Sequence, residues 1–185
     1  MQSEKHFIEK AKNDPRVFGQ LYDLYYPKIF RYIFRVTGNY TISCDITSET
    51  FLKAWIKIGL FKWRGISISS WFFKIATNEL NQYFRKKKYT PFTLLDLSVF
   101  DGELHRGRTY FSDETNETIT KLDEEDEFRN IHQKMKILSP KYQQVIALRY
   151  FEEMSIKEIG EILGKKEGTV KSLLFRGLEK LKNIF

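Results

Sequence analysis

Apolar residues recur at a spacing of three or four along two blocks of this chain, and this periodicity constrains the fold more than any other feature. Side chains at that spacing lie on one face of a helix. The blocks span residues 1–95 and 128–185, whereas residues 96–127 lose the periodicity and accumulate Gly, Ser, Thr, Asn and Asp. A stretch of that length without structure does not fit inside one compact domain. The sequence has no strand pattern, so we predict an all-α protein with two small helical domains joined by an acidic linker.

The first block predicts three helices with recognisable ends. Asp14-Pro15 is typical of an N-cap followed by proline in the first turn, and Gly38 of a C-terminal cap. Pro27 is expected to kink or restart that helix. A second helix follows Asn39 or Thr41, and a third starts near Ser70 after a loop over 61–69. The residues expected to be buried in the second helix are Ile42, Ile46, Leu52, Trp55 and Ile56.

The second block ends in a helix-turn-helix pattern. Ser139-Pro140 is a further predicted N-cap, and Ser155 with Glu158 forms a capping box that opens a short helix ending at Gly164. A turn of about four residues and a longer final helix follow, which is the arrangement of a helix-turn-helix. Gly160 suggests that the second helix crosses close by. We expect a winged-helix-like, four-helix domain.

Charge is distributed unevenly between the blocks. Residues 1–95 carry a net charge of +9, residues 96–127 carry −8, and residues 128–185 carry +6. Basic blocks of this size suit a polyanionic partner, because each cation that neutralises a phosphate releases counterions. The alternative is a basic surface that contributes only to solubility.

Several classes of protein are not indicated by the sequence. Cys44 is the only cysteine, and the three histidines are scattered, so neither a disulfide nor a structural metal site is expected. No signal peptide, membrane-spanning run, P-loop or nucleophile–base arrangement is apparent. We therefore expect a cytoplasmic protein that is not an enzyme, needs no cofactor and does not insert into a membrane.

The final helix predicts a DNA-binding face. Its outward residues can all donate hydrogen bonds to phosphates or base edges. They are Lys165, Lys166, Thr169, Lys171, Ser172 and Arg176. The alternative is an ordinary helical hairpin with a solvated basic face.

Four segments of the chain resemble a known family. The run LSPKYQQVIALRYFEEMSIKEIGEILGKKEGTVKSLLFRGLEKLK resembles region 4 of bacterial sigma factors. The segments FGQLYDLYYPKIFRYIFRVTGN, DITSETFLKAW and WFFKIATNELNQYFRKKK resemble, in that order, region 2 of the small extracytoplasmic-function (ECF) group of the sigma-70 family. The resemblance covers the chain except for its first dozen or so residues and the linker.

The resemblance implies a role for each part. Residues 1–95 would be region 2, which binds core RNA polymerase and recognises and melts the −10 promoter element, and residues 128–185 would be region 4, which reads the −35 element. Asp45 and Glu49, with Phe51 or Leu52, would dock on the clamp helices of the polymerase. Trp71 and Phe72 are expected in the core. The residues that would act at the −10 element are Asn78, Trp63, Arg64, Arg85 and Lys86. An anti-sigma factor, often membrane-anchored in this family, is implied as a further partner.

The chain departs from the family pattern at three positions. Family members commonly carry glutamine, aspartate and arginine where Ser48, Gln82 and Leu173 stand here. Without the arginine at Leu173, one DNA contact is lost. The rival hypothesis is a stand-alone regulator that binds operators as a dimer, which leaves the first domain without a role.

Overall fold

In the computed structural model, residues 2–62, 67–87, 135 and 137–183 are described, and every regular element among them is helical. This confirms the predicted all-α class for those residues. The elements, in chain order, are α1 (Gln2–Ala11), α2 (Pro15–Thr37), α3 (Tyr40–Lys57), a 3₁₀ turn (Ile58–Leu60), α4 (Ile68–Lys87), α5 (Pro140–Ile146), a π-helical turn (Ala147–Phe151), α6 (Ile156–Leu163) and α7 (Glu167–Lys182). The proposed linker, 96–127, lies outside the described residues.

Most of the predicted helix ends are confirmed. The Asp14 carboxylate accepts a hydrogen bond from the backbone N–H of Arg16 at 2.8 Å, with Pro15 in the first turn of α2. Gly38 ends that helix in the left-handed conformation, with φ 64°. The Asn39 side chain then caps α3 by accepting from the N–H of Ile42 at 2.8 Å.

Three local expectations differ from the structure. Of the two alternatives at Pro27, the restart is wrong, since α2 remains helical from Pro15 to Thr37, and the kink stays a prediction. Helix α4 begins at Ile68, two residues before the predicted start. Ser139 precedes α5 with extended backbone, but its side chain makes no capping hydrogen bond.

The halves on either side of the predicted linker pack against each other. Helix α4 packs on α6, and α2 packs on both α5 and the π-helical turn. Within the first half, the buried hydroxyls of Tyr32 and Thr77 share a hydrogen bond of 2.9 Å between α2 and α4. Burial raises the pKa of Tyr32, so this pair stays neutral. The contact between the halves is not evident from sequence periodicity, because it joins residues far apart in the chain.

Candidate nucleic-acid and polymerase interfaces

The C-terminal helix pair is closed by a turn that requires glycine at Gly160. A Cβ atom at that position would stand 2.8 Å from the carbonyl oxygen of Lys165 and 4.0 Å from Cγ2 of Val170. The sequence predicts a close approach of the second helix at Gly160, and the structure places the turn backbone even nearer than α7. The capping box of Ser155 and Glu158 is present with both of its hydrogen bonds, and Gly164 ends α6 with φ 62°. The predicted helix-turn-helix geometry is therefore confirmed.

A second glycine, Gly177, allows α7 to pack closely on α5. The periodicity of the sequence did not single it out. A Cβ at Gly177 would stand 3.0 Å from Cδ1 of Ile146 and 3.4 Å from Cβ of Tyr142. Helix α7 therefore crosses α5 closely, and Gly177 is buried at the crossing. Two glycine contacts, at Gly160 and Gly177, fix the angle at which the final helix is presented.

All six residues predicted to bind DNA through α7 are exposed, whereas Val170 and Leu174 on the opposite side are buried. The Ser172 hydroxyl donates to the carbonyl of Gly168 at 3.0 Å and keeps its acceptor lone pairs outward. Lys165 and Lys166 precede the N-terminus of α7, where the helix dipole is positive and favours a phosphate. The helix therefore presents a basic outer face on an apolar base.

Two further residues of α7 change the description of that face. Leu173, where the family commonly has arginine, packs against the hydrophobic core. Phe175 is 64% exposed and follows Ser172 by one helical turn. Phe175 was not predicted as a surface residue, because the prediction for this face considered only side chains that donate hydrogen bonds. In the major groove, an exposed ring can contact a thymine methyl group.

Helix α4 carries a polar stripe along its exposed side. Lys74, Asn78 and Arg85 are exposed and stand four and seven residues apart, so they lie on one helical face. Lys86 is exposed beside them at the C-terminal end. Of the other residues predicted to act at the −10 element, Trp63 and Arg64 lie outside the described residues.

Two aromatic residues near the start of α4, Trp71 and Phe72, pack on its inner side. Phe72 is buried, as expected. The Trp71 ring is half-buried and packs edge-to-face on Phe61 and Phe72, with ring centroids 5.2 and 5.4 Å apart. The start of α4 is therefore anchored by aromatic packing on its inner side.

Helix α3 has an unusual distribution of polar and apolar side chains. Its buried side includes Ser43, Thr47 and Thr50, which are fully enclosed. Each hydroxyl donates to the carbonyl four residues earlier in the chain, at 2.6, 2.6 and 2.7 Å. The Thr47 and Thr50 donors are satisfied within α3, whereas the Ser43 hydroxyl also shares a 2.8 Å hydrogen bond with the Thr37 hydroxyl of α2.

The exposed side of α3 is apolar, which corrects the sequence prediction. Leu52, Trp55 and Ile56 were expected to be buried but are 54%, 41% and 68% exposed. Trp55 still packs edge-to-face on Phe18. Leu52 and Ile56, spaced by four on α3, and Leu60 in the following 3₁₀ turn are all exposed, and we call these three residues the α3 apolar stripe.

Phe51 cannot contribute to that stripe. It is 3% exposed, and its ring packs against Tyr22 and Phe72, with centroids 4.8 and 5.2 Å away. Of the two alternatives predicted for apolar contact with polymerase, Leu52 is at the surface and Phe51 is in the core. Asp45 and Glu49 are exposed on the same helix.

Lys53 links α3 to α4. Its ammonium group lies 2.6 Å from a carboxylate oxygen of Glu79 on α4 and 3.1 Å from one of Glu49 on α3. The hydrogen bond to Glu79 contributes most to raising the pKa of Lys53, so the link stays charged at neutral pH. Glu49 is thus already paired within the protein.

Neither a metal-binding cluster nor a membrane-spanning helix is found in the described part of the chain. No group of three His, Cys, Asp or Glu side chains there is placed to hold a metal ion. None of the helices described is long and apolar enough to cross a membrane.

A capped helix pair that presents an exposed basic helix defines the C-terminal half as a helix-turn-helix of a DNA-binding transcription protein. Comparison with known families specifies the protein further. Residues 21–90 match the family model described as "Sigma-70 region 2", and residues 128–181 match that of "Sigma-70, region 4".

Relatives extend over nearly the whole chain. The ECF RNA polymerase sigma factor SigW of Bacillus subtilis (strain 168) is 36% identical over 98% of this chain and 96% of its own. The RNA polymerase sigma factor YlaC of the same organism is 32% identical over 88% of each chain. The solved structure of CnrH in complex with the cytosolic domain of CnrY has a TM-score of 0.69, with 18% identity, over 98% of this chain and 96% of that one.

The chain belongs to the ECF group of the sigma-70 family of RNA polymerase sigma factors. It is a specificity subunit that directs transcription initiation at promoters. The match of both regions disfavours the stand-alone regulator, and the family's members are generally not enzymes.

Proposed function

We propose that this sigma factor reads the −35 element through the outer face of α7. The observation that carries the proposal is a set of six exposed donors, two in the turn before α7 and four on α7, whose opposite side is buried. Phosphate contacts from Lys165 and Lys166 would position the helix, and Lys171, Ser172 and Arg176 would face the bases. Phe175 would add an apolar contact to a thymine methyl group.

The −10 element would be handled by α4. Asn78 can hydrogen-bond a base edge, and Arg85 and Lys86 offer positive charge to the phosphates of a separated strand. The exposed polar stripe of α4 supports this assignment. Trp63 and Arg64, which precede α4 in the chain, remain predicted contributors to the same step.

Core RNA polymerase would bind on α3. The α3 apolar stripe offers exposed contact area, and Asp45 lies on the same helix. An exposed apolar patch flanked by acidic groups suits a protein surface with basic residues at its rim. Glu49 would have to share or leave Lys53 to pair with the polymerase.

Two solved structures of this fold hold a partner: CnrH is bound to the cytosolic domain of CnrY, and RpoE is bound to the anti-sigma factor NepR from Bartonella quintana (TM-score 0.63, 22% identity, over 90% of this chain and 94% of that one). We infer that an anti-sigma factor also binds this chain. The factor would act in the cytoplasm and contribute no catalytic chemistry of its own.

Polymerase binding is tested by substituting two exposed aliphatic residues, one inside the α3 apolar stripe and one outside it. Ile56→Asp places a charge in the α3 apolar stripe and should weaken binding to core RNA polymerase by about tenfold or more. Leu24→Asp is the control, because Leu24 is 54% exposed on α2 and outside the stripe. Equal affinities for the two variants would contradict the assignment of α3.

DNA reading is tested without knowledge of the promoter sequence. The reconstituted holoenzyme would transcribe fragmented genomic DNA of the host, and the mapped start sites would be aligned. Arg176→Ala should relax only the upstream motif and Asn78→Ala only the downstream one, whereas Lys10→Ala, an exposed cation on α1, should change neither. Relaxation of the same motif by both variants would overturn the division of labour between the two halves.

A further inference from the structure

The α3 apolar stripe faces water in the free factor. Leu52, Ile56 and Leu60 are 54%, 68% and 78% exposed, and Trp55 on the same helix is 41% exposed. Leu52 and Ile56 are four residues apart on α3, so their side chains are neighbours on the helix surface. Adjacent exposed apolar side chains are typical of a surface that binds another protein. Until polymerase is bound, burial of this stripe against any suitable surface is favourable.

Charged side chains run along one flank of the stripe. Glu49, Lys53 and Lys57 follow one another at intervals of four residues, so they lie on one side of α3, which we call the charged flank. The charged flank is acidic at its N-terminal end, where Asp45 adds a second carboxylate to the exposed surface, and basic at its C-terminal end. Lys57 is exposed and forms no ion pair with a described residue. A flank of this kind is complementary to a copy of itself that runs in the opposite direction.

Such a self-complementary surface suits a homodimer with twofold symmetry. A twofold axis perpendicular to α3 places the α3 helices of two copies antiparallel, and every contact is then made twice. With Lys53 at the axis, Glu49 of each copy lies opposite Lys57 of the other, which gives two ion pairs. Leu52 of each copy lies beside Ile56 of the other in the same contact. In a parallel pair like charges would meet, and charges beside an apolar helix seam set its orientation in this way.

The lysine at the centre of this arrangement is already paired within its own chain. The Lys53 ammonium group lies 2.6 Å from a carboxylate oxygen of Glu79 on α4 and 3.1 Å from one of Glu49. The Glu79 side chain is 12% exposed, so it remains beside Lys53 when α3 is covered. Two Lys53 side chains can therefore lie near the axis without the repulsion of unpaired cations. Glu49 is 47% exposed, and its carboxylate has acceptor sites left for Lys57 of the other copy.

We propose that the free factor forms a homodimer through antiparallel α3 helices, and that this dimer hides the surface on which polymerase binds. The inhibitory role rests on the proposed binding of polymerase to α3, whereas the dimer itself is a property of the free chain. Burial of the α3 apolar stripe supplies most of the affinity, and the solvent-exposed ion pairs mainly set the orientation. One helix from each copy makes a small interface, so the dimer is transient, with a Kd on the order of 10 µM.

A dimer of this affinity buffers the amount of active factor. Its fraction rises with the total concentration by mass action, so the monomer available to polymerase increases more slowly than the total. Polymerase competes for the same stripe and withdraws monomers from the pool. The factor is thereby held in reserve without a second protein.

Sedimentation velocity of the full chain over a concentration series tests the dimer. Wild type should sediment as a monomer at about 1 µM and mostly as a dimer at about 100 µM. Glu49→Lys places a cation opposite Lys57 of the other copy and should weaken dimerisation by about tenfold, and Lys57→Glu should weaken it to a similar extent. Glu179→Lys, the same charge change at an exposed position of α7, should leave dimerisation unchanged.

Two combinations of these variants test the charge pairing and its direction. An equimolar mixture of Glu49→Lys and Lys57→Glu should dimerise, because opposite charges face each other again. The double variant Glu49→Lys with Lys57→Glu should also recover dimerisation, whereas in a parallel pair its like charges would still meet. Circular dichroism of each variant checks that the helices are retained.

The proposal is overturned if wild type stays monomeric up to about 100 µM, which would leave the stripe to polymerase alone. It is also overturned if Glu49→Lys, with its helices intact, dimerises like wild type, or if the double variant remains as weak as the single ones. Core RNA polymerase added to the dimer should produce complexes that hold one copy of the factor, and complexes with two copies would contradict the inhibitory role. If polymerase binds no factor at all, the proposed function fails, whereas sedimentation still decides whether the dimer exists.

Discussion

Helices α3 and α7 each present a functional surface, but they are built in opposite ways. Helix α7 buries Val170 and Leu174 and exposes cations. Helix α3 buries the hydroxyls of Ser43, Thr47 and Thr50 and exposes an apolar stripe. The difference matches the surfaces of the two proposed partners. The phosphates of a DNA duplex attract cations, whereas a groove on a protein binds apolar side chains. Helix α3 therefore buries hydroxyls beside Ile46 and Phe51, while Leu52 and Ile56 remain exposed.

The largest expected difference is between two neighbouring residues of α3, one in the core and one at the surface. Phe51→Ala should lower the free energy of unfolding by about 3–5 kcal/mol, because it opens a cavity between Tyr22 and Phe72. Leu52→Ala should change it by less than about 0.5 kcal/mol and weaken polymerase binding instead. Denaturant unfolding and a polymerase binding assay measure the two effects. A large loss of stability in Leu52→Ala would show that the outer side of α3 is part of the core.

A smaller effect is expected at the turn that presents α7. Gly160→Ala forces a methyl group against the Lys165 carbonyl oxygen and should cost about 1–3 kcal/mol in thermal or denaturant unfolding. Gly168→Ala is the control, since a Cβ there meets nothing within 4 Å and alanine favours a helix. If both variants have the same stability, the close approach at Gly160 is not a constraint on the fold.

Substitutions on the exposed face of α7 should change the affinity for DNA without changing the free energy of unfolding. Phe175→Ser should cost about 1 kcal/mol of binding to the preferred duplex and leave the free energy of unfolding nearly unchanged, because the ring is exposed. Lys165→Ala should weaken binding to all sequences alike and reduce the salt slope by about 1. Fluorescence anisotropy across a salt series distinguishes them. Sequence-independent loss in Phe175→Ser would exclude a role in base reading.

The smallest effect on stability is expected from the loss of a buried hydroxyl of α3. Thr47→Val removes a buried hydroxyl whose hydrogen bond runs to the Ser43 carbonyl of its own helix. The bond joins two residues of one helix and no other element. Its loss should therefore change the free energy of unfolding by less than about 1 kcal/mol. Ile46→Ala, a buried apolar neighbour, should cost about 2–5 kcal/mol for comparison. A loss of similar size in Thr47→Val would mean that the hydroxyl supports α3 in another way.

Local signals in the sequence predicted the helix ends well. Asp14-Pro15, Gly38, the Ser155 capping box and Gly164 each act within a few residues, so their effect on the backbone can be derived from the residues themselves. Ser139 is an exception, since its backbone begins a helix without the side-chain bond. The exposed donors of α7 were likewise predicted from spacing, because Val170 and Leu174 define the buried side.

Periodicity failed where burial depends on what covers a face. Leu52 and Ile56 fit a helical pattern, but a pattern does not state which side a neighbouring element occupies. The contact of Arg35 with Glu152 joins residues 117 positions apart, and the π-helical turn that presents it has no local sequence signal of its own. These features depend on tertiary packing, which a single sequence encodes only indirectly.

The bridge from Lys53 to Glu79 has a mechanical consequence. Together with the packing of Phe51 on Phe72, it joins the helix proposed to bind polymerase to the helix proposed to meet the −10 element, so the two helices tilt as one unit. Helix α4 has 20 residues and is therefore about 30 Å long, and a tilt of about 5° at one end would displace the other by about 2.6 Å. That error is nearly the length of a hydrogen bond. The contact between α3 and α4, of which this lysine is the charged part, thus sets how accurately docking on one side of the protein is transmitted as alignment on the other.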